Sequence, residues 1–404
     1  MRAILSAPGS RGDVNPMIAI GKALRAAGHD VVISLAEPYA PLAEQAGLTV
    51  EPVIDRAAFE EAVGTPTVWK PIRGPIAIFR LIIGRFLELH RDVIERHHRP
   101  GETVLVAHPL DLASRIYRDA NPATPLATVL PQPVTLRTYE SLPRLSPYWF
   151  ECKRPEWLLR TAYWTVDRMV LDRLISGPVN QIRKDYGLRP ISRFMDTWWL
   201  SPDRVLAMFP DWFAPATQEF LPQLVHCGFP LDDVSDESFE LPDDQPIVFT
   251  SGTAHQHCRD FFRAAAATCQ QIHRPGLLLS THDENFPVTL PDQVRTASYL
   301  PLAKLLPACR AIVHHGGIGT TSQAFAAAVP QLIRPLAFDQ FDNATRVEML
   351  GCGKWLRRPA EMGSLLKELL QQDRSPIDAV AQRCQGMHGG QAAATILAGL
   401  LPKV

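Results

Sequence analysis

Short apolar runs alternate with amphipathic stretches along the beginning of the chain. Arg2–Ala7 predicts a buried parallel strand, and a glycine-bearing turn over residues 8–12 follows it. Apolar positions from Pro16 to Ala27 predict a helix, and Asp30–Leu35 predicts a second strand. A strand, a helix and another strand in close succession form a βαβ unit, which predicts a parallel sheet covered by helices on both faces.

The pattern continues with a longer helix and a tryptophan-rich segment. Apolar residues at three- and four-residue spacing predict a helix over residues 73–97, and Thr103–Ala107 and Leu126–Leu130 predict buried strands. Residues 149–212 carry most of the tryptophans of the chain, at Trp149, Trp157, Trp164, Trp198, Trp199 and Trp212. These side chains fit core packing or an apolar substrate pocket, and the sequence leaves both interpretations open.

A second alternating series begins after an acidic, proline-bearing and aperiodic stretch. We interpret residues 231–244 as a linker between two domains, 1–230 and 245–388. Strands of the second series are predicted at Pro246–Thr250, Gly276–Leu279, Val294–Ser298, Ala311–His314 and Gln331–Arg334. The sequence therefore predicts an α/β protein with two doubly wound parallel sheets.

Composition narrows the class of protein. The chain has 404 residues, 46% of them hydrophobic, which is enough for two cores, and its formal charge of −1 offers no basic surface for nucleic acid. Seven scattered cysteines without a Cys-x-x-Cys pair favour neither a zinc site nor a disulfide framework and fit a reducing cytoplasm. The sequence contains no signal-peptide pattern and no apolar run of membrane-spanning length, so we expect a cytoplasmic protein.

A glycine loop in the second half has the features of an anion-binding site. Residues 315–322 (His-Gly-Gly-Ile-Gly-Thr-Thr-Ser) follow the predicted strand Ala311–His314 and open an alanine-rich helix. Glycines let the backbone approach a phosphate closely, and the start of a helix supplies free N–H groups and a partial positive charge. No Lys-Ser or Lys-Thr pair follows the glycines, which excludes an ATPase P-loop.

A carboxylate beside an amide, Asp339-Gln340, comes soon after the next predicted strand. The carboxyl ends of parallel strands are where such sheets bind ligands, and this pair is suited to bind vicinal hydroxyl groups. Capping of the following helix by Asp339 or Asp342 is the alternative interpretation.

Together these motifs resemble the nucleotide-sugar signature of glycosyltransferase family 1, whose members have the GT-B fold. The resemblance rests, in order, on Tyr299-Leu300-Pro301, His315-Gly316-Gly317, Thr320-Thr321, Val329-Pro330, Pro335 and Asp339-Gln340. The opening loop, Gly9-Ser10-Arg11-Gly12-Asp13-Val14-Asn15-Pro16, also matches the first loop of the family. The resemblance implies two Rossmann-like domains that face a central cleft. The N-terminal domain would bind the acceptor and the C-terminal domain the nucleotide sugar, and a final helix within 389–404 would pack back on the first domain.

The resemblance also implies roles for individual residues. Tyr299 would stack on the base, His315 and the glycine loop would hold the diphosphate, and Asp339 and Gln340 would bind the sugar. The donor-binding residues are thus expected to be Ser251, Gly252, Thr253, Tyr299, Leu300, His315, Gly316, Gly317, Gly319, Thr320, Thr321, Gln323, Asp339 and Gln340. Many members place a glutamate on the ribose where this sequence has Gln323. An amide favours two ribose hydroxyls less strongly, so a dTDP-sugar is permitted and a UDP-sugar is not excluded.

Asp13 is the residue that we expect to act as general base, because the family has a histidine or an aspartate at this position. The acceptor hydroxyl must lose a proton as it attacks the anomeric carbon opposite the diphosphate. Capping of the helix that starts near Pro16 is compatible with this role. His108 and Asp111, close to a predicted strand end, are candidates for orienting the base. We expect no metal ion or other cofactor, because the helix start and His315 can carry the diphosphate charge.

The sequence therefore predicts an inverting glycosyltransferase that moves a hexose or 6-deoxyhexose to a hydroxyl of an apolar small molecule or a hydroxyacyl lipid. Within the family, Trp198-Trp199-Leu200-Ser201-Pro202 and Asp339-Gln340-Phe341-Asp342-Asn343-Ala344 resemble the corresponding segments of rhamnosyltransferases of bacterial rhamnolipid synthesis. This resemblance favours dTDP-L-rhamnose as donor. A lipid acceptor would bring the protein to the inner face of the membrane as a peripheral protein. Two alternatives stay open: a sugar-nucleotide epimerase or hydrolase on the same fold, and a non-catalytic subunit that activates a partner transferase.

Overall fold

The protein folds into two α/β domains, as the alternating pattern predicts. The computed structural model describes residues 1–70, 73–81, 86–136, 144–146, 155–215, 221–231, 239–253, 255 and 258–401. Each domain is built on one parallel sheet. Apolar clusters lie on both faces of each sheet, so the prediction of two doubly wound sheets is confirmed.

The N-terminal sheet consists, within the described residues, of β1 (Arg2–Ala7), β2 (Asp30–Ala36), β3 (Thr49–Ile54), β4 (Thr103–Ala107), β5 (Leu126–Leu130), β6 (Arg204–Ala207) and β7 (Leu224–His226). Their order is β3-β2-β1-β4-β5-β6-β7. The helices are α1 (Arg11–Ala26), α2 (Ala40–Gln45), α3 (Arg56–Gly64), α4 (Arg73–Leu81), α5 (Leu87–His97), α6 (Leu112–Ala120), α7 (Glu156–Val166), α8 (Asp172–Asp185) and α9 (Phe194–Thr197). A π-helical turn, Asp167–Leu171, joins α7 to α8.

The C-terminal sheet consists of β8 (Ile247–Thr250), β9 (Gly276–Leu279), β10 (Val294–Ala297), β11 (Ala311–His314), β12 (Gln331–Ile333) and β13 (Gly353–Trp355). Their order is β10-β9-β8-β11-β12-β13. The helices that follow the linker are α10 (Arg259–Ile272), α11 (Leu302–Leu305), α12 (Ile318–Ala326), α13 (Gln340–Met349), α14 (Met362–Gln371), α15 (Ser375–Cys384) and α16 (Gly389–Ala398).

The strand order of both sheets reverses beside their first strand. β1 lies between β2 and β4, and β8 lies between β9 and β11. At such a reversal the loops after the two central strands diverge and leave a crevice at the carboxyl edge of the sheet. The connections after β1, β4, β8 and β11 carry Asp13, His108, Ser251 and His315, respectively. The topology therefore brings the residues of the predicted site to two sheet edges.

Most predicted elements are confirmed, and the differences have local causes. The sequence pattern did not predict β3, which is mostly not buried and lies at the edge of its sheet, or the short strands β6, β7 and β13. The helix expected over 73–97 is observed as α4 and α5, with residues 82–85 between them outside the described part. Most of the predicted linker, 232–238, and Trp149 also lie outside the described residues.

The two domains share one apolar cluster on one side of the cleft. Phe213 and Phe229 of the N-terminal domain pack against Phe325 of α12, with ring centroids 5.7 and 6.3 Å apart, and Phe341 of α13 belongs to the same cluster. All four side chains are 3% exposed or less. We call these four residues the interdomain cluster. Because it is dry and aromatic, it stabilises one orientation of the two sheets.

The last helix, α16, returns to the N-terminal domain and packs on α1. Leu397 shares a buried cluster with Met17 of α1. Two glycines at its start permit the approach: a Cβ at Gly390 would lie 3.0 Å from the backbone of Ala19, and one at Gly389 would lie 2.3 Å from a carbonyl oxygen. The chain thus closes the N-terminal core with residues from its C-terminal end.

Leu397→Ala is expected to destabilise the protein by about 2–5 kcal/mol, because it removes a fully buried side chain from a core that cannot collapse fully. Thr395→Ala, at an exposed position of the same helix, is the control and is expected to change stability little. Denaturant unfolding followed by tryptophan fluorescence measures both. Equal effects of the two variants would show that α16 is dispensable to the N-terminal core.

Candidate active site

A cleft between the two domains encloses a cavity of about 950 Å³. Loops at the carboxyl edges of both sheets form its walls. The predicted residues that line it are Asp13, His108, Ser251, Gly252, Thr253, Tyr299, Leu300, His315, Gly317, Gly319, Thr320, Gln323, Asp339 and Gln340. Three predicted residues are absent from its lining: Asp111, Gly316 and Thr321.

Asp13 lies in the first turn of α1 and is both a helix cap and a cleft residue. Its Oδ2 accepts hydrogen bonds from the backbone N–H of Ser10 (2.9 Å) and from the Ser10 hydroxyl (3.2 Å). A Cβ at Gly9 would lie 2.1 Å from this oxygen, so a larger residue there would displace the carboxylate. The carboxylate is 18% exposed, which leaves it accessible from the cavity. The two sequence interpretations of Asp13 are therefore compatible.

His108 holds the other oxygen of Asp13. Its Nε2 lies 3.2 Å from Asp13 Oδ1, while its Nδ1 accepts a hydrogen bond from the backbone N–H of Leu110 (3.2 Å). Because Nδ1 is an acceptor, the proton of the neutral ring is on Nε2 and is donated to Asp13. The His108 ring therefore orients the Asp13 carboxylate by donating a hydrogen bond, and it does not act as a base toward Asp13.

Asp111, the other candidate for orienting the base, does not touch Asp13. It caps α6 and accepts hydrogen bonds from the hydroxyls of Ser6 and Ser114, both at 2.6 Å. His90 Nε2 lies 3.1 Å from the same carboxylate, and neither side chain is exposed. Ser6 Oγ in turn accepts the backbone N–H of His108 (3.2 Å). Asp111 therefore anchors the loop that carries His108.

The pKa of Asp13 lies below its ordinary value of 3.8. Burial raises this pKa, but the hydrogen bond and charge of His108 and the two hydrogen bonds from Ser10 outweigh burial and lower it. Asp13 is therefore an ionised carboxylate at neutral pH. It is ready to accept a proton before an acceptor arrives.

The start of α12 forms an anion-binding site. Gly316 has φ of 94°, and a Cβ there would lie 2.7 Å from Ile333, so the turn after β11 requires glycine. Gly317 precedes the first helical residue, and the first intrahelical bond to it comes from Thr321 N–H. The N–H groups of residues 318–320 thus have no intrahelical acceptor and lie at the cavity wall.

His315 packs at the mouth of this helix against the loop after β8. A Cβ at Gly252, where φ is 84°, would lie 2.7 Å from the His315 ring. Burial first, and then the charge of His255, lowers the pKa of His315 to about 4. The ring is therefore neutral at neutral pH. A diphosphate beside it would favour the protonated form and raise this pKa.

The two threonines of the glycine loop differ. Thr320 lines the cavity, whereas the side chain of Thr321 is fully buried. Thr321 and Phe325, four residues later, lie on the inward face of α12. The expected contact of Thr321 with a phosphate is thus not available in this geometry, because helical periodicity turns it into the core.

Tyr299 lines the cavity opposite the N-terminal domain, with Leu300 beside it. The guanidinium of Arg11, in the first turn of α1, lies 4.2 Å above the Tyr299 ring. This cation–π contact bridges the cleft. A base that stacks on the same face of the ring must displace Arg11.

Asp339 and Gln340 lie at the start of α13, where the chain turns sharply. Phe338 has φ of 55°, a conformation that non-glycine residues rarely adopt. Gln340 Oε1 accepts the backbone N–H groups of Leu336 (2.8 Å) and Ala337 (3.0 Å), so its amide nitrogen is the group suited to a sugar hydroxyl. Burial first, and then the charge of Asp13, raises the pKa of Asp339 to about 7.

Gln323 lines the cavity from α12 but also contacts the linker. Its Nε2 donates a hydrogen bond to the carbonyl oxygen of Leu231 (3.0 Å). Because the amide nitrogen is used in this bond, the amide oxygen of Gln323 is the atom that can accept a hydrogen bond from a ligand hydroxyl. A glutamate at this position would lose the bond to Leu231.

Sequence reasoning missed three side chains of the site. Trp69, between α3 and α4, contacts His255 with ring centroids 4.6 Å apart and Phe338 at 6.0 Å. No pattern in the sequence marks a loop tryptophan as a cleft residue. Arg11 belongs to the opening loop and Asn343 follows the Asp339-Gln340 pair, but their contacts are with residues distant in sequence, Tyr299 and Gly316.

The described part of the chain contains neither a cluster of metal-ligating side chains nor a membrane-spanning helix. The residues there contain no group of three or more histidine, cysteine, aspartate or glutamate side chains that could hold a metal ion. Among the same residues, no helix combines the length and the apolar character needed to cross a bilayer.

The chain matches two family models. Residues 3–94 match the glycosyltransferase family 28 N-terminal domain, and residues 278–396 match the C-terminal domain of erythromycin biosynthesis protein CIII-like proteins. The O-mycaminosyltylonolide 6-deoxyallosyltransferase of Streptomyces fradiae is 28% identical over 400 residues, covering 92% of this chain and 88% of that protein.

Solved structures have the same fold. The glycosyltransferase of kitacinnamycin superposes with a TM-score of 0.75 at 18% identity, covering 99% of both chains. The glycosyltransferase VinC in complex with dTDP superposes with a TM-score of 0.66 at 20% identity, also covering 99% of both chains. The chain therefore has the GT-B fold, matches glycosyltransferase family models at both ends, and is a glycosyltransferase, an enzyme of sugar transfer.

Proposed function

We propose that this glycosyltransferase moves a hexose or 6-deoxyhexose from a nucleoside diphosphate to a hydroxyl of an apolar acceptor, with inversion and with Asp13 as general base. The observation that carries the proposal is that Asp13 of the N-terminal domain and Asp339 of the C-terminal domain line one cavity. The two side chains are close enough that the charge of Asp13 raises the pKa of Asp339. The sugar would lie between them.

The donor side of the proposal rests on the C-terminal domain. The free N–H groups at the start of α12 and the ring of His315 suit a diphosphate, since they combine a helix dipole with a group that gains a proton beside an anion. Asp339 and the amide nitrogen of Gln340 suit the sugar hydroxyls. The relative from Streptomyces fradiae is named for transfer of a deoxysugar, which supports a 6-deoxyhexose here. We propose dTDP-L-rhamnose as the first donor to test.

The proposed reaction depends on the positions of the two substrates and on charged and polar groups around them. The acceptor oxygen attacks the anomeric carbon on the side of Asp13 while the bond to the diphosphate oxygen breaks. The hydroxyl proton passes to Asp13, a transfer typically worth about 10²–10⁴-fold in rate. His108 keeps the accepting oxygen in place through its Nε2 proton. The start of α12 and His315 stabilise the charge that develops on the leaving diphosphate, and no cofactor is required for this step.

The acceptor side of the proposal rests on the wall that the N-terminal domain contributes. About 950 Å³ is large for a nucleotide sugar alone and leaves room for a sizeable second substrate. Apolar side chains dominate this wall, among them Ile78, Phe79, Leu110, Val134, Tyr163, Leu171, Met195 and Trp199. This lining supports an apolar hydroxylated acceptor, either a small molecule or a hydroxyacyl lipid. It favours the pocket interpretation for part of the tryptophan-rich segment.

Asp13→Asn is expected to lower the transfer rate at least 100-fold while nucleotide diphosphate binding stays nearly unchanged, because an amide cannot accept the proton. Steady-state rates with dTDP-L-rhamnose and calorimetric titration with dTDP measure the two properties. Asp55→Asn is the matched control, since Asp55 also caps a helix through its side chain. If both variants turn over alike, Asp13 is only a cap and the proposed base is wrong.

Gln323 generates a prediction about the base and ribose of the donor. A neutral amide discriminates little in favour of a 2′-hydroxyl, so we expect dTDP-sugars to be used at least as well as UDP-sugars. Gln323→Glu is expected to shift the ratio of specificity constants toward the uridine donor by about five-fold, since bonds to a charged acceptor are stronger. Both constants should also fall, because the bond to Leu231 is lost. A parent enzyme that strongly prefers the UDP-sugar would contradict this inference.

A lipid acceptor would be met at a membrane, and one surface of the N-terminal domain suits such an encounter. Trp157 and Trp164 on α7 are 67% and 57% exposed, and Met169 and Val170 follow in the π-turn with 56% and 42%. We call these four residues the aromatic surface. Exposed Arg160, Arg168 and Arg173 lie near it in sequence. Tryptophans with flanking arginines are typical of segments that lie in the headgroup region of a bilayer.

Trp157→Ser combined with Trp164→Ser is expected to abolish co-sedimentation of the protein with phosphatidylglycerol vesicles. The variant removes two exposed rings from the aromatic surface and leaves the cavity intact. Met349→Ser, which removes an exposed apolar side chain of α13, is the control and should bind vesicles like the parent. If the parent protein does not bind such vesicles at low salt, peripheral membrane association is wrong and a freely diffusing acceptor is favoured.

A further inference from the structure

One buried amide links the two parts of the donor site. Asn343, in the first turn of α13, donates through Nδ2 to Asp339 Oδ2 (2.7 Å) and to the carbonyl oxygen of Gly316 (2.9 Å). The two acceptors belong to the sugar side and to the diphosphate side of the proposed site. The side chain is fully buried, so these bonds are shielded from water.

The residue type matters at this position. An amide nitrogen carries two protons and can satisfy two acceptors at once, which neither a hydroxyl nor a carboxylate can do. The backbone N–H of Asn343 also donates to the carbonyl oxygen of Asp339 (2.9 Å). The first turn of α13 therefore fixes the position of the Asn343 side chain relative to that of Asp339. Asn343 Oδ1 is buried without a hydrogen-bond partner, which makes the site costly to maintain. A fully buried and incompletely satisfied amide is expected where function requires its other atoms.

We propose that Asn343 is a positioning residue for the donor sugar: its amide ties the carboxylate of Asp339 to the glycine loop and sets the distance between the sugar-binding and diphosphate-binding groups. The inference rests on the proposed function, in which Asp339 binds the sugar and α12 the diphosphate. It adds a residue that acts through Asp339 and Gly316 without touching the donor.

The charges around Asp339 provide a readout for this role. Asp13, from α1 across the cleft, and Asp342, which is paired with Arg346 on α13, both raise the pKa of Asp339, after burial. The bond from Asn343 lowers this pKa, because it stabilises the ionised form. Hydroxyl groups of a sugar donate to the ionised form. Affinity for a nucleotide sugar should therefore rise with pH through the pKa of about 7.

Calorimetric titration with dTDP-L-rhamnose between pH 5.5 and 8.5 tests the proposal. Loss of the Asn343 bond raises the pKa of Asp339, so Asn343→Ala should move the rise in affinity to higher pH. At pH 7 its affinity should be lower than that of the parent by roughly ten-fold, as for loss of a bond to a charged group. His315 is unchanged in both proteins, so its titration does not produce the difference.

A double-mutant cycle separates this role from a structural one. In the Asp339→Asn background, Asn343→Ala should cost little further affinity and should cause no shift with pH, because the carboxylate through which it acts is absent. The same ten-fold loss in both backgrounds, with no alkaline shift, would overturn the proposal. If Asp339→Asn alone leaves affinity for dTDP-L-rhamnose unchanged, the sugar-binding role of Asp339 fails first, and the proposed donor site fails with it.

Two further variants guard against a trivial loss of folding. Asn343→Asp keeps the shape and volume of the side chain but replaces the donating NH2 group with a second carboxyl group beside Asp339. It should show an alkaline shift at least as large as that of Asn343→Ala, because a like charge raises the pKa of Asp339 further. Asn285→Ala is the matched control: Asn285 is 1% exposed, lies in the same domain and donates to Ser280. It should lower stability as Asn343→Ala does without moving the pH profile. A shift in Asn285→Ala of equal size would contradict the assignment.

Discussion

The packing of the two domains against each other is the constraint on which the site depends. Asp13 belongs to one sheet edge, and His315 and Asp339 belong to the other. The interdomain cluster of Phe213, Phe229, Phe325 and Phe341 holds these edges at one separation, because its rings are almost completely buried. The cation–π contact of Arg11 with Tyr299 and the ring contacts of Trp69 bridge the cleft as well. Without this arrangement, neither half would contain a complete site.

Two carboxylates in one cleft acquire different properties from their surroundings. Asp13 accepts hydrogen bonds from Ser10 and His108, which lower its pKa, whereas burial and the charge of Asp13 raise the pKa of Asp339. Groups whose pKa values are driven apart in this way are suited to different tasks in one reaction. The ionised Asp13 is suited to act as a base. Asp339, with a pKa of about 7 that depends on Asp13 and Asn343, is suited to bind hydroxyl groups.

Buried polar residues beneath each sheet edge support these side chains. In the N-terminal domain, Ser6, His90 and Asp111 anchor the loop of His108 by hydrogen bonds within the core. In the C-terminal domain, Asn343 ties Asp339 to the loop of Gly316. Such networks are costly to leave incomplete, so they hold one conformation of a loop that would otherwise have several. The positions of the side chains in the cleft therefore depend on buried hydrogen bonds beneath it.

The sequence by itself determined the two doubly wound sheets, most of their strands, the glycine loop and the position of Asp13, because periodicity and the spacing of glycines are local properties. It did not determine which way Thr321 points, that Gln323 contacts the linker, or that His108 rather than Asp111 meets Asp13. Those contacts join residues far apart in the chain, and local spacing contains no information about them. Only the tertiary structure decided them, since the facing of two sheet edges results from packing between domains.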